Sequence, residues 1–239
     1  MTDSSALAHL ATPSPTSVVD RRTLPTAVAD RLREMIIQGE LGAGTRLNER
    51  ALCDRLQVSR TPLREAFRLL AADGLVQLQP NRGAQVTALS EQDVVDSFEL
   101  MGALEALSGQ LACERISDRE VTEIRALTYE MRACHARQDL PAYYHVNRQI
   151  HDRINAASHN QLLVQVYQSI NLRLQNLRFR SNLNHDKWDK AMEEHSQMVD
   201  ALAARDGARL ADIMRGHLQR KAEAVLETLK ANPPTVDPS

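Results

Sequence analysis

Apolar positions recur at helical spacing along most of the chain, and one short stretch alternates as strands do. In the first third, this spacing and the N-cap and glycine signals predict helices at residues 26–39, 48–56 and 59–73. Residues 75–79 and 84–87 alternate apolar and polar positions around a Pro-Asn-Arg-Gly turn, which predicts a β-hairpin. Three helices followed by a hairpin form a winged helix-turn-helix.

The rest of the chain is helical by the same criterion. Ser117 and Glu120 have the spacing of a capping box, and Gly207 is expected to end a helix. Long segments with short connections predict an antiparallel bundle of six helices, at residues 90–115, 118–138, 141–158, 161–180, 186–205 and 208–229. The expected fold class is mainly α, with an N-terminal winged helix-turn-helix plus a C-terminal antiparallel six-helix bundle.

The domain organisation follows from the same pattern. Residues 1–23 are rich in Ser, Thr, Pro and Ala without any periodicity, which predicts a disordered tail. Residues 24–88 are predicted to form the first domain and residues 89–231 the second. Residues 232–239 contain three prolines and are predicted to be a frayed tail.

Composition agrees with a folded protein that needs no membrane. The 239 residues are 43% hydrophobic and 25% charged, an ordinary balance for a soluble protein. The chain has neither a run of 18 apolar residues nor a signal-peptide pattern, so no membrane association is expected. The three cysteines form no CxxC pair, which is typical of reduced thiols and a cytoplasmic location.

The formal net charge of −2 hides a division of charge between the two domains. Residues 1–88 carry eleven Arg and nine acidic residues, a balance of +2, whereas residues 89–239 carry a balance of −4. All four lysines lie in the second part, so the first is basic through arginine alone. The planar guanidinium fork suits guanine edges and phosphates, which favours a nucleic-acid partner for the first domain.

The third predicted helix carries the side chains expected to read DNA. In a helix-turn-helix, the second helix enters the major groove with its N-terminal side chains at the base edges. Arg60 and Arg64 project from the first two turns and suit guanine, while Ser59 and Thr61 suit phosphate. The alternative is an amphipathic helix whose arginines are only a solvated face. The combination of caps, faces and hairpin favours DNA reading over that alternative.

The residues around this helix match a known pattern. Residues 58–70 read VSRTPLREAFRLL, and 73–76 read DGLV; together they resemble the reader domain of the GntR family of bacterial transcriptional regulators. Upstream, residues 47–50 read LNER, and the wing at 81–83 reads NRG. The resemblance implies DNA contacts from Arg50, Arg60, Arg64 and Gly83, with Ser59 and Thr61 at phosphates. Arg82, beside Gly83 at the hairpin tip, suits minor-groove or phosphate contact.

Histidines of the second domain mark a candidate metal site. Asn147 and His151 are four residues apart and share a helical face, while His195 and His217 lie on the last two helices. Antiparallel helices can direct such side chains to one point inside a bundle, although the spacing alone leaves a core or surface role open. Three imidazoles and one oxygen suit Zn²⁺ or Ni²⁺ first, with Mn²⁺ and Fe²⁺ as alternatives. Four further histidines are expected at the surface: His9, His135, His159 and His185.

The second domain also resembles a known family. The segments NRQIH (147–151), SHN (158–160), EH (194–195) and MRGHL (214–218) resemble the FadR-type ligand-sensing domain, also called FCD. The resemblance implies that Asn147, His151, His195 and His217 hold a metal ion at the floor of a cavity for a small organic acid.

Two positions depart from that family's pattern. Asn147 stands where many relatives have Asp, so a bound ion would keep its full +2 charge and demand an anion such as an effector carboxylate. Met101 stands where relatives commonly have Arg, so the usual carboxylate clamp is missing. That absence leaves room for a bulkier or less acidic effector.

The sequence therefore predicts an effector-responsive transcriptional repressor. A homodimer would bind a palindromic operator in double-stranded DNA, because two identical readers need two-fold related half-sites. The alternatives are a metal-dependent enzyme and a direct metal sensor. The chain has no HExxH motif and no derivable general base, so no catalytic residue is predicted.

Overall fold

A computed structural model describes residues 23–80, 83–181 and 188–231, so the two predicted tails, apart from Thr23, lie outside the described residues. The predicted fold class is confirmed, because a winged helix-turn-helix precedes a bundle of six helices. The elements in chain order are α1 (Leu24–Ile37), β1 (Arg46–Leu47), α2 (Glu49–Leu56), α3 (Arg60–Ala72), β2 (Val76–Gln79), β3 (Gly83–Val86), α4 (Glu91–Arg115), α5 (Asp118–Ala136), α6 (Leu140–Ala157), α7 (Gln161–Ser181), α8 (Trp188–Ala203) and α9 (Gly207–Ala231).

The winged part is built on the apolar faces of α1 and α3. Leu32 and Met35 of α1 pack with Leu63 and Leu70 of α3 in one buried cluster. The side chain of Asn48 accepts a hydrogen bond from the Ala51 backbone N–H, so the predicted cap of α2 is confirmed. Because α1 and α3 share a core, the position of α1 sets the position of α3.

The sheet has three antiparallel strands in the order β1-β3-β2. Gln85 of the central strand pairs with Gln77 in β2 and with Arg46 in β1. The hairpin of β2 and β3 agrees with the predicted one. Strand β1 was not predicted, because two residues cannot display an alternating pattern.

The bundle is organised around the long contact of α4 with α9, both 25 residues in length. The capping box of Ser117 and Glu120 is confirmed at the start of α5. The prediction for Gly207 was wrong, because this residue begins α9. A Cβ there would lie 3.2 Å from the Cα of Gln110, so the glycine allows close packing on α4. The left-handed residue after α8 is Arg205, with φ of 59°.

No helix within the described ranges is both long and apolar enough to cross a membrane. Cys53, Cys113 and Cys134 are free thiols, and the last two are buried.

The close packing of α4 against α9 allows the effect of a substitution on stability to be predicted. A Cβ at Gly109 would lie 2.9 Å from Met214 Sδ and 3.0 Å from Leu210 Cγ, so Gly109→Val is expected to lower the free energy of unfolding by about 1–3 kcal/mol. A Cβ at Gly102, on the same helix, meets no atom within 4 Å. Gly102→Ala is therefore the control and is expected to raise the free energy of unfolding by about 0.4–1 kcal/mol. Urea denaturation measures both, and a neutral Gly109→Val would contradict this packing.

Candidate functional site

The first candidate surface is the exposed side of α2 and α3. Arg60, Thr61 and Arg64 lie exposed in the first two turns of α3, and Arg50 is exposed on α2. Ser59 occupies the N-cap position of α3, but its side chain makes no capping hydrogen bond. Its hydroxyl is therefore not committed to the helix start, where N–H groups favour an anion.

Several arginines of this surface are paired with carboxylates. The Nε of Arg64 donates to both carboxylate oxygens of Glu49, at 3.0 and 3.1 Å. Two similar pairs join Arg55 to Glu40 and Arg68 to Glu65. Among the described residues, no ion pair is found for Arg50 or Arg60. Arg50 and Arg60 are thus the reader arginines whose donors face solvent.

The wing contributes Gly83, which is exposed at the start of β3 with φ of 85°. A Cβ built there meets no atom within 4 Å, so the side of the chain is open for close approach. Arg82, the other residue predicted at the hairpin tip, lies outside the described residues.

The second candidate site is a cluster of three buried histidines in the bundle. His151 comes from α6, His195 from α8 and His217 from α9, and one nitrogen of each lies within 4.8 Å of the others. Nε2 of His195 is 3.3 Å from Nε2 of His151. The structure therefore brings together the three histidines that the sequence singled out from separate helices.

Two of the histidines, His195 and His217, have a hydrogen-bond acceptor at Nδ1. Nδ1 of His195 lies 2.6 Å from the Ala191 carbonyl oxygen, and Nδ1 of His217 lies 2.7 Å from Glu194 Oε2. Nδ1 of His151 is 3.0 Å from Glu105 Oε1. The hydrogen bonds of His195 and His217 favour the imidazole proton on Nδ1, which leaves the lone pair of each Nε2 available to a ligand.

Burial favours the neutral form of two of these imidazoles, those of His195 and His217. Burial, with repulsion from His217 and His151, lowers the pKa of His195 well below its ordinary value. The pKa of His217 is lowered for the same reasons, burial first and His151 second. Burial alone would raise the pKa of Glu105, but His151 and then Arg178 outweigh it and lower that pKa to about 2. The site thus combines the neutral imidazoles of His195 and His217 with an ionised carboxylate, Glu105, beside His151.

This donor set fits a divalent metal ion. Two lone pairs held 3.3 Å apart repel each other unless a cation or a proton lies between them. Two nitrogens bound to one tetrahedral zinc ion, each at about 2.0–2.1 Å, are themselves about 3.3 Å apart. Asn147, one turn before His151 on α6, lies at the cavity wall beside His217 and offers an amide oxygen.

A cavity of about 380 Å³ opens above the cluster. Its wall includes Asn147 and His217, together with two arginines, Arg178 from α7 and Arg220 from α9. Arg178 is only 3% exposed, and its Nη1 donates to Asn171 Oδ1 at 2.6 Å. A buried guanidinium at the wall favours an anionic occupant.

The sequence interpretation missed Arg178 and both carboxylates of the site, Glu105 and Glu194. Glu105 falls on the buried face of α4, four residues after Met101. A carboxylate at a core position needs a partner, and its place on the buried face was the feature of the sequence that could have identified Glu105. Met101 itself is buried in an apolar cluster with Phe98. The arginines of the cavity wall come from α7 and α9 instead of from α4.

The remaining histidines are placed as follows. His159 is exposed, and His135 is half-buried with Nε2 at 3.1 Å from Asp189. His9 and His185 lie outside the described residues.

Comparisons with known proteins match both halves of the chain. Residues 24–86 match the family described as bacterial regulatory proteins, gntR family, and residues 96–220 match the FCD domain. The HTH-type transcriptional repressor RspR of Escherichia coli K12 is 26% identical over 201 residues, covering 84% of this chain and 88% of that protein. The Nta operon transcriptional regulator of Aminobacter aminovorans is 28% identical over 196 residues, covering 82% and 91%. The solved structure of E. coli McbR/YncC is similar at a TM-score of 0.76 with 20% identity, covering 86% and 98%.

Proposed function

Because the chain belongs to the GntR family of bacterial regulatory proteins and carries an FCD domain, we propose that it is a repressor controlled by a small organic acid bound over a metal ion. It is a DNA-binding transcriptional regulator, and proteins of this family are regulators and not enzymes. The observation that carries the proposal is the meeting of one nitrogen from each of three buried histidines beneath a cavity with a buried arginine in its wall. The relative RspR is named as a repressor, which supports repression over activation.

The metal would be held by Nε2 of His151, His195 and His217 and by the amide oxygen of Asn147. Zn²⁺ and Ni²⁺ suit this set best, with Mn²⁺ and Fe²⁺ as alternatives. When bound, such an ion supplies a Lewis acid for a carboxylate oxygen. Because Asn147 is neutral, the positive charge of the ion would be balanced by Glu105 and Glu194, which lie behind two of the imidazoles.

The acid would be recognised by the cations and the hydroxyl at the cavity wall. Arg178 offers a buried fork, and Arg220 reaches Glu194 Oε1 at 2.6 Å with one of its nitrogens. Burial raises the pKa of Tyr143, so its hydroxyl keeps its proton and donates. These groups supply the carboxylate clamp that Met101 cannot.

DNA would be read by α3 of two chains. Arg60 and Arg64 face the major groove, Ser59, Thr61 and the wing contact the backbone, and Arg50 supports them from α2. A homodimer on a palindromic operator satisfies the two-fold symmetry of such readers. An acid that binds one bundle conformation more tightly changes operator affinity by the same coupling free energy.

Thermal unfolding with metals and acids tests the proposal. Zn²⁺ or Ni²⁺ is expected to raise Tm of chelator-treated protein, because binding to the folded state alone stabilises it. A panel of small carboxylic acids is then screened, and any acid that raises Tm further is expected to lose that effect on chelation. His195→Ala is expected to abolish both effects, while His145→Ala, exposed on α6, retains them. No shift with any metal would exclude the metal site.

The direct metal sensor is distinguished by DNA affinity. If metal alone switches operator binding and no acid alters it further, the metal is the signal. If only the acid alters operator binding, the metal is part of the acid site.

A further inference from the structure

Helix α7 presents opposite faces to two different parts of the molecule. Tyr167, Asn171 and Arg178 recur at the spacing of one helical face, and all three are buried in the bundle. Arg173 and Asn176 lie on the other side and reach the winged domain. With 21 residues, α7 spans about 30 Å and touches both the candidate cavity and the DNA-reading part.

The inner face of α7 is tied to the histidine cluster through Glu105. Tyr167 and Arg178, both on α7, favour the charged form of the Glu105 carboxylate. The same carboxylate lies 3.0 Å from His151 Nδ1. An anion bound at Arg178 in the cavity wall would add a second negative charge to that of Glu105, which already acts on this guanidinium. An occupied cavity therefore changes the forces that hold α7.

The outer face of α7 holds the end of α1. Asn176 Nδ2 donates to the carbonyl oxygens of Ile36 and Ile37, at 2.8 and 3.0 Å. Ile37 is the last residue of α1, and the final carbonyls of a helix have no partner inside it. The amide of Asn176 therefore caps α1 from another domain.

A second contact of the outer face lies at the end of α3. Gly74 forms the turn after α3, with φ of 74°, and a Cβ there would lie 3.1 Å from Arg173 Cδ. The stem of Arg173 thus covers this turn closely. Both contacts act on the helices that position the reader.

We propose that α7 couples the cavity to the DNA-reading helix and that Asn176 is the positioning residue through which it acts. The inference rests on the proposed function, since it names the route by which an occupied cavity alters operator affinity. A displacement of α7 at Arg178 moves Asn176, two residues away on the opposite face, and with it the end of α1. Because α1 and α3 share one core, the reader moves with α1.

The test compares the full-length wild type with Asn176→Ala on a duplex that the wild type selects from a random library. Each is measured with Zn²⁺, with chelator, and with any acid found by thermal shift. The wild-type Kd for the duplex is expected to change by about 5- to 150-fold between states, and the variant by less than about twofold. Calorimetry is expected to find unchanged metal uptake in the variant, because Asn176 touches no ligand.

The control is Gln168→Ala, exposed on the same helix, which is expected to keep the full change. If Asn176→Ala shows the same change in Kd as the wild type, the inference is overturned, because the hydrogen bonds to α1 then do not couple the cavity to DNA binding. A wild type that takes up metal and acid without any change in Kd overturns it as well. Uptake of metal and acid tests the proposed cavity independently of the coupling to DNA binding.

If the wild type takes up neither metal nor acid, the proposed function fails and a ligand-free cycle tests the inference. Arg178→Gln, Asn176→Ala and the double variant are compared by their Kd for the same duplex. The two changes are expected to be non-additive, because Arg178 then affects DNA only through Asn176. Additive changes overturn the inference.

Discussion

Replacing Arg60 by alanine is expected to weaken binding to the selected operator duplex by about 5- to 150-fold, equivalent to about 1–3 kcal/mol. Arg60 is exposed in the first turn of α3, where a recognition helix meets base edges. The described structure gives it no carboxylate partner, so its fork is available to guanine O6 and N7. The loss should fall on one base pair of each half-site, because a base contact carries sequence information.

Fluorescence anisotropy with the operator and with a scrambled duplex measures this effect. Arg119→Ala, which removes an exposed arginine from α5 in the other domain, is the control and is expected to leave both affinities unchanged. Equal weakening on the two duplexes would instead make Arg60 a phosphate contact.

Removing the Glu105 carboxylate is expected to lower the free energy of unfolding of the bundle by about 3–5 kcal/mol. Glu105 is 0% exposed, and its charge interacts with that of the buried Arg178. Without Glu105, the guanidinium of Arg178 is left in the interior without a carboxylate. At about 2–4 °C per kcal/mol, Tm should fall by about 6–20 °C.

Thermal and urea unfolding of Glu105→Ala in chelator measure this loss free of metal effects. Glu99→Ala, exposed on the same helix, is the matched control and should change the free energy of unfolding by less than about 0.5 kcal/mol. Should Glu105→Ala fail to fold, Glu105→Gln keeps the shape and removes the charge, and is expected to be destabilised in the same direction. A loss no larger than that of the control would mean that Arg178 needs no anion.

Local signals predicted most of the fold. The cap at Asn48 and the capping box at Ser117 act within one turn of chain, so spacing alone reveals them. Gly207 misled the interpretation because a glycine that ends a helix and a glycine that lets two helices approach look alike in sequence. Strand β1 exists only through its pairing with β3, which no local pattern encodes.

The candidate site was predictable only in part for the same reason. Asn147 and His151 share a face of one helix, whereas the other two histidines were tied to them by family resemblance. Glu105 lies on α4 and Arg178 on α7, so the interaction of their charges depends on how the bundle closes. The position of Met101 suggested a missing clamp, because sequence cannot show that another helix supplies the cation.

The pairing of arginines with carboxylates on the reader also bears on how the protein searches a genome. Binding to random DNA is driven by phosphate charge, and Arg64 held by Glu49 contributes little to it until that pair opens. Arg55 and Arg68 are restrained in the same way. A base edge that accepts two donors of a guanidinium, together with the phosphate contacts of a fully docked reader, compensates for opening such a pair. The pairs are therefore expected to weaken binding to non-operator sequence, so that more of each cell's supply of the protein is free to reach its operator.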